Sequence, residues 1–293
     1  MQICPTPVVQ ALLAASLLIS PALRAQDGSS AAAETFQAIQ SEFESASQEW
    51  MASYTKAREG GADRAELSKM VASRPNPKDY VARIKAIVTA DATSADAGAA
   101  SAWLITRGRV TGADLGFAMD VLAKHHMESD EMGTVMTSLS RNPAPAVSRF
   151  MAKALEGAQG DMLASALMAS GEQLKSAASV ARTLAAGSEE DLERYSGYYG
   201  REAAEVLKSA DAGAYEARAV ALFERLIADD ELSAVAFRRE TMGAVAKRTL
   251  FELQNLSIGK VAPDIVGEDL DGTPMKLSDY RGKVVVLDFW GDW

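Results

Sequence analysis

Proline is absent from the long stretch between Pro145 and Pro263, and this absence constrains the fold of the chain more than any other feature. Because proline interrupts an α-helix, a stretch without it can form long, unbroken helices. The segment "AVSRFMAKAL" places Val147, Phe150 and Met151 on one helical face. Hydrophobic residues make up 48% of the chain but aromatic residues only 6%, which favours helices packed closely through small side chains.

The same helical periodicity extends over most of the chain, from about Glu34 to Leu256. The last helix of this region is predicted at about Leu232 to Leu256. The segments "TGAD" at Thr111 and "SEED" at Ser188 are typical of helix N-caps, and the proline clusters "RPNP" and "RNPAP" separate helices. The sequence shows no repeat of fixed length. We therefore predict a mainly α domain at 34–257, an irregular antiparallel helical bundle or solenoid.

The N-terminus has the features of an export signal. An apolar segment from Val8 to Ser20 has the length of a signal-peptide core, and small residues follow at Ala22 and Ala25. We predict a signal peptide at 1–25, a flexible linker at 26–33 and export of the chain to the periplasm or another extracytoplasmic space. The alternative is an uncleaved N-terminal membrane anchor, although a membrane-spanning helix needs about 20 apolar residues.

The charge and the cysteine count disfavour two classes of function. A net charge of −10 and a pI near 4.9, without a cluster of lysine and arginine in the sequence, argue against nucleic acid as a partner. The only cysteine, Cys4, falls within the predicted signal peptide. The mature chain as given is therefore expected to contain neither a disulfide nor a reactive thiol.

The composition changes at Ser257, where a segment rich in glycine and turn residues begins. The dipeptide Asp271–Gly272 predicts the turn of a β-hairpin, since it tolerates the positive φ that such turns need. The segment "LSDYRG" predicts one helical turn with Ser278 as its N-cap. The apolar run from Val284 to Trp290 predicts a buried central strand. We therefore expect a second domain at 258–293.

Short motifs occur in a fixed order within this segment. They are Ala262-Pro263-Asp264, Asp269-Leu270-Asp271-Gly272, Leu277-Ser278-Asp279-Tyr280, Gly282-Lys283 and Phe289-Trp290-Gly291-Asp292-Trp293. Together they resemble the opening of a TlpA/ResA-type thioredoxin-fold domain, a family of exported thiol-disulfide oxidoreductases. The resemblance is confined to this C-terminal segment. It implies an incomplete thioredoxin-like α/β domain that contains the first β-hairpin and the first central strand.

The resemblance also implies where the chemistry would take place. In the family, the Phe-Trp-x-x-Trp run is followed at once by Cys-x-x-Cys, so the catalytic cysteines are expected immediately after Trp293. Phe289, Trp290 and Trp293 would flank the active site. The implied reaction is reduction of protein disulfides: the first thiolate attacks a substrate disulfide and the second resolves the mixed disulfide. The implied partners are protein thiols or disulfides and a thiol electron donor, without a cofactor, and the fragment alone would be inactive.

Two other functions stay open at this point. Within the same fold, a peroxiredoxin-like peroxidase has a similar N-terminal hairpin. It usually has a proline and a threonine before its reactive cysteine, where this chain has Trp-Gly-Asp-Trp. Outside that fold, the thiol-free mature sequence is compatible with an exported, non-enzymatic α-helical scaffold or interaction protein.

Two groups of side chains in the helical region are candidates for other sites. His125 and His126 are the only histidines, and neighbouring residues on a helix point about 100° apart, so we do not predict a metal site. Tyr195, Tyr198 and Tyr199 lie on one side of a predicted helix. For these tyrosines, packing against the next helix is favoured over a partner-binding surface.

Overall fold

The structure is a computed structural model that describes residues 35–291. The predicted signal peptide, the predicted linker at 26–33 and Trp293 lie outside these residues. The described α-helices are α1 (Phe36–Glu59), α2 (Arg64–Ala72), α3 (Val81–Ala90), α4 (Ala95–Thr106), α5 (Gly112–His125), α6 (Met132–Leu139), α7 (Pro145–Gly157), α8 (Gly160–Ala186), α9 (Glu189–Tyr199), α10 (Arg201–Lys208), α11 (Ala212–Ala228), α12 (Asp230–Ala234) and α13 (Met242–Asn255). Two 3₁₀ helices span Pro77–Tyr80 and Leu277–Tyr280. The strands are β1 (Ala236–Phe237), β2 (Glu240–Thr241), β3 (Val266–Glu268) and β4 (Pro274–Lys276).

The mainly α fold predicted from the sequence is confirmed, with only two small antiparallel sheets among the described residues. In the first sheet Phe237 pairs with Glu240, and in the second Gly267 pairs with Met275. A two-stranded sheet of this size is too small to form a core of its own. Between residues 35 and 291, no helix is both long and apolar enough to cross a membrane.

Helix α8 is the central element of the helical part, because it contributes to three groups of buried side chains. Ala166 packs with residues of α1 and α3 to α7, and Leu167 packs with residues of α11 and α13. Leu184, near its C-terminal end, packs with residues of α9 and α10. One helix of 27 residues therefore joins the three parts of the core. The absence of proline from this stretch permits that length.

The helical faces predicted from the sequence are buried, and one of the two predicted caps has the expected geometry. Val147, Phe150 and Met151 are all in the core. Ser188 forms a reciprocal capping box with Asp191 at the start of α9. Thr111 occupies the N-cap position of α5, but its side chain makes no capping hydrogen bond. The predicted N-cap position of Thr111 is therefore confirmed, although the side-chain hydrogen bond of a capping box is missing.

The predicted single helix from Leu232 to Leu256 is also wrong. The segment instead forms α12, the hairpin of β1 and β2, and then α13. The N–H of Met242 donates to the carbonyl of Val235 at 2.8 Å, which closes the hairpin. The side chain of Thr241 accepts from the N–H of Ala244 at 3.2 Å and starts the new helix. Arg238, at the turn, has a φ of 58°, a value that does not fit a right-handed helix.

Candidate functional site

The segment that follows α13 begins with the predicted β-hairpin. Strands β3 and β4 pair between Val266 and Lys276, so the hairpin is confirmed. The Asp269 carboxylate accepts hydrogen bonds from the N–H groups of Asp271 and Thr273, both at 2.9 Å. The bond from Thr273 is the main reason that the pKa of Asp269 is lowered. Gly272 has a φ of 77°, the left-handed conformation that favours glycine in such turns.

A second carboxylate connects the start of this segment to the residues after the hairpin. Asp264 accepts from the backbone N–H of Ser278 at 2.8 Å and from its hydroxyl at 2.9 Å. These two bonds, the backbone one first, lower the pKa of Asp264. The N–H of Leu277 donates to the carbonyl of Ile265 at 2.9 Å beside them. Three hydrogen bonds thus hold the residues that follow the hairpin against the residues that precede it.

The short helix after the hairpin differs from the prediction. It is a 3₁₀ helix at Leu277–Tyr280, and Lys276 rather than Ser278 is its N-cap. Ser278 is not the cap because its N–H and hydroxyl both bind Asp264. Asp279 accepts from the N–H of Lys276 at 3.2 Å instead. The predicted turn is therefore present, but the predicted role of Ser278 in it is wrong.

The apolar run that follows is not a strand in this structure. No backbone hydrogen bond joins residues 284–290 to another described residue, and a strand requires a hydrogen-bonded neighbour. Exposure nevertheless alternates, with Val284 at 98% and Val286 at 89% against Val285 at 41% and Leu287 at 49%. Such alternation is typical of a strand with one covered face. The predicted buried central strand is therefore wrong for this structure, because residues 284–290 are neither paired nor buried.

A shallow cleft of about 350 Å³ lies beside the more covered face of this run. Val285 and Leu287 form one wall, and Val261, Leu277 and Tyr280 contribute to the remainder. The first elements of the segment therefore provide an apolar surface for one face of residues 284–287. The opposite face meets none of the described residues closely enough to be covered.

The aromatic residues expected to flank an active site are exposed. Phe289 is 81% and Trp290 is 80% exposed, and Trp293 lies outside the described residues. The described residues contain no cysteine, since Cys4 is the only one in the sequence. The described residues therefore provide no thiol that could attack a disulfide.

One ion-pair cluster connects this segment to the helical part. Lys260 Nζ lies 3.3 Å from a carboxylate oxygen of Glu216, a largely buried residue of α11. Arg182 of α8 forms an ion pair with the same carboxylate. Because a buried carboxylate needs compensating charge, Glu216 is stabilised from two sides.

Of the two histidines, His126 is held in place by the residues around it. His126 Nε2 lies 2.8 Å from the carbonyl oxygen of Ala92, and the ring packs against Gly98. That hydrogen bond occupies one ring nitrogen and gives His126 a structural role. Among residues 35–291, no group of three or more His, Cys, Asp or Glu side chains is placed to hold a metal ion.

The three tyrosines of α9 have different surroundings. Tyr195 packs against the buried side chains that α8 shares with α9 and α10, and its ring stacks on that of Tyr199 at a centroid distance of 6.3 Å. Burial is the main cause of the raised pKa of Tyr199. Tyr198 is exposed. The favoured interpretation, packing against a neighbouring helix, holds for Tyr195 but not for Tyr198.

The pairing of Asp264 with Ser278 was not predicted from the sequence. The two residues are separated by the whole hairpin, so no local spacing relates them. The sequence does contain one signal for this pairing. An Asp precedes the hairpin, a Ser follows it, and the register of β3 and β4 brings the two positions together.

No protein-family model matches the chain, and no solved structure matches it. Short segments are similar to thiol-disulfide oxidoreductases named ResA. The identity is 53% over 38 residues with the protein of Geobacillus thermodenitrificans and 48% over 40 residues with that of Bacillus subtilis. These segments cover 13% and 14% of this chain and 22% of each relative, so the chain spans about a fifth of the length of the curated relatives it matches. The local similarities support a relationship to the thioredoxin-like redoxins.

Proposed function

We propose that residues 258–293 are the opening part of a thioredoxin-like module of an exported thiol-disulfide oxidoreductase of the protein-disulfide reductase type. The observation that carries this proposal is the apolar run at 284–290. Exposure alternates along residues 284–287 and the backbone of 284–290 is unpaired, as expected of a central strand without its neighbouring strands. The similarity to ResA proteins supports the same assignment.

In this proposal the cysteine pair follows Trp293, and Phe289, Trp290 and Trp293 flank it. The first thiolate attacks a disulfide of a partner protein, forms a mixed disulfide and releases one partner thiol. The second thiolate attacks the mixed disulfide, which releases the other partner thiol and leaves the pair oxidised. A thiol electron donor then reduces the pair. The chain as given contains none of these sulfur atoms and is inactive on its own.

The remaining parts of the chain have supporting roles in this proposal. Residues 1–25 direct export or, alternatively, anchor the protein in the membrane, and residues 26–33 form a linker. The helical part at 34–257 positions or selects partner proteins. The ion pair of Lys260 with Glu216 then connects the redox module to the helical part.

The coding sequence after Trp293 provides the first test. We expect a Cys-x-x-Cys within a few codons in the same frame. The polypeptide that includes it should reduce the disulfides of insulin with a thiol donor, and replacement of the first cysteine by serine should abolish the activity. A stop codon directly after Trp293, or no cysteine pair nearby, contradicts the proposal. Faster turnover of hydrogen peroxide than of disulfides indicates the peroxiredoxin-like alternative instead.

A non-enzymatic scaffold is the second candidate, and one observation favours it. All buried side chains among the described residues lie between Phe36 and Leu253, so the helical part contains the whole core. Under this candidate, residues 34–257 alone retain the full affinity for any partner bound by the complete protein. A partner bound only through a cysteine-containing module contradicts the scaffold function.

A further inference from the structure

A cleft of about 530 Å³ lies between α1 and the C-terminal end of α4, far in sequence from the segment after α13. Phe43 and Trp103 contribute aromatic surface to it, and their rings meet edge to face at a centroid distance of 5.5 Å. Its volume falls in the range of roughly 300–1,000 Å³ that small-molecule sites occupy. The polar groups around it therefore determine what it can bind.

Three arginines from two parts of the chain line this cleft. They are Arg74, after α2, and Arg107 and Arg109, at the end of α4. Among residues 35–291, none of the three forms an ion pair, and the only carboxylate lining the cleft is Glu44. Glu44 accepts a hydrogen bond from Gln40 at 2.9 Å. A positive cleft is unusual in a chain with a net charge of −10, and it attracts anions.

Arg109 has a backbone conformation that disfavours arginine. Its φ is 46°, in the left-handed region, where glycine or asparagine is preferred. The conformation is imposed by the end of α4, where the N–H of Val110 donates to the carbonyl of Leu104 at 3.2 Å. A strained residue persists where the surrounding structure fixes it, and strained residues cluster at ligand sites. An arginine at this position places a charge at the cleft despite the strain.

The guanidinium of Arg74 is positioned by an aromatic ring. Its Cζ lies 5.5 Å from the ring centroid of Trp50, in a cation–π contact. Trp50 is itself fixed, because its indole N–H donates to the carbonyl of Met70 at 2.7 Å. Stacking leaves the in-plane N–H donors of the guanidinium free to bind an anion.

The negative end of the α4 dipole explains the position of only some of these arginines. Cations there offset the negative end of the helix dipole, which accounts for Arg107. It does not account for Arg74, which comes from another part of the chain. Convergence of three arginines without carboxylate partners is, in contrast, the chemistry that binds carboxylates and phosphates.

We propose that this cleft binds a compact polyanion, a small molecule with two or three carboxylate or phosphate groups. The guanidinium groups of Arg74, Arg107 and Arg109 bind its oxygen atoms, and Phe43 and Trp103 contact its carbon skeleton. This site is independent of the proposed redox module.

Calorimetric titration of the complete chain at low ionic strength tests the proposal, with citrate and pyrophosphate as separate probes. We expect at least one of them to bind saturably. Arg109→Gln and Arg74→Gln should each weaken that binding by at least about tenfold, the loss expected for one charge-assisted hydrogen bond. Binding of citrate alone indicates a carboxylate ligand, binding of pyrophosphate alone a phosphate ligand, and binding of both recognition of charge.

Two further variants separate ligand binding from folding and from net charge. Arg109→Gly relieves the positive φ, so we expect its thermal stability to be equal or higher while its binding is lost. Arg58→Gln removes the same charge from the exposed end of α1, away from the cleft, and should change the affinity less than twofold. The proposal is overturned if neither anion binds at millimolar concentrations, or if Arg58→Gln weakens binding as much as Arg109→Gln does.

Discussion

At Gly171, helix α8 lies directly against the side chain of Phe223 in α11. A Cβ added there would lie 2.6 Å from the ring atom Cζ of Phe223, which is fully buried. The ring cannot move away without displacing its neighbours, because protein cores are close-packed. We expect Gly171→Ala to lower the free energy of unfolding by about 1–3 kcal/mol, measured by urea denaturation.

Gly116 provides the matched control for this prediction. It lies in the interior of α5, and an added Cβ there would meet nothing within 4 Å. Because alanine is the better helix former, Gly116→Ala should raise the free energy of unfolding by up to about 1 kcal/mol. Equal destabilisation by both substitutions would show that contact with Phe223 is not the cause.

Asp264 gives a pH-dependent prediction at the same scale. Its pKa lies below the ordinary value of 3.8 because Ser278 donates two hydrogen bonds to the ionised carboxylate. A lowered pKa means that the interaction stabilises the folded segment above pH 3.8 and is lost as the pH falls through the lower, folded-state value. NMR titration of the Ser278 amide should therefore have its midpoint below 3.8.

Ser278→Ala tests the cause of this shift. The substitution removes the hydroxyl donor but keeps the backbone donor, so the pKa of Asp264 should rise part of the way towards its ordinary value. A midpoint unchanged by Ser278→Ala would exclude the hydroxyl as a contributor.

Among the elements, those with strong local signals were predictable from the sequence. The apolar spacing of Val147, Phe150 and Met151 indicated α7, because a helical face buries every third or fourth residue. Asp271–Gly272 indicated the hairpin of β3 and β4, because this dipeptide permits a positive φ.

The hairpin of β1 and β2 was not predictable in the same way. Its turn has Arg238 at positive φ, where glycine is expected, and apolar residues on both sides continue a helical spacing. Contacts of Phe237 and Met242 with the buried side chains of α8 and α11 decide the conformation instead. A tertiary contact of this kind leaves no local trace in the sequence.

The unpaired run at 284–290 gives a prediction at the scale of elements. Its amides have no hydrogen-bond acceptor among the described residues. We expect hydrogen–deuterium exchange of these amides to be as fast as in an unfolded peptide, whereas the buried turns of α8 exchange slowly. Strong protection across Val284 to Trp290 in the monomer would contradict the structure of this run.

At the scale of the whole molecule, the core does not depend on the segment after α13. No described residue after Leu253 is buried. Removal of 258–293 deletes the ion pair of Lys260 with Glu216, which is worth about 1 kcal/mol or less. We therefore expect Tm, measured by circular dichroism, to fall by no more than about 4 °C.

A single substitution distinguishes that ion pair from other contacts of the segment. Lys260→Ala should reproduce any loss of Tm seen on removal of 258–293, since Arg182 still compensates Glu216 in both proteins. A much larger fall on removal of the segment would indicate that the helical part does not fold independently of it.

The candidate sites form only when separate elements pack together. For that reason they were the least predictable part of the molecule. Arg74 and Arg109 come together only when α1, α2 and α4 have packed, and Asp264 meets Ser278 only when the hairpin has its register. The proposed role of Phe289 and Trp290 came from a motif that is contiguous in the sequence. Contiguous motifs can be read from a sequence, whereas constellations assembled by packing cannot.

The open face of residues 284–290 has a consequence for the behaviour of the protein in concentrated solution. Its backbone N–H and C=O groups are available on both edges, and its valines favour β pairing. Two copies can align these runs side by side and form hydrogen bonds between their backbone N–H and C=O groups. A third copy can add to the remaining unpaired edge in the same way. We therefore expect these seven residues to promote association between copies at high concentration, and Val286→Lys to suppress it without a change in the helical core.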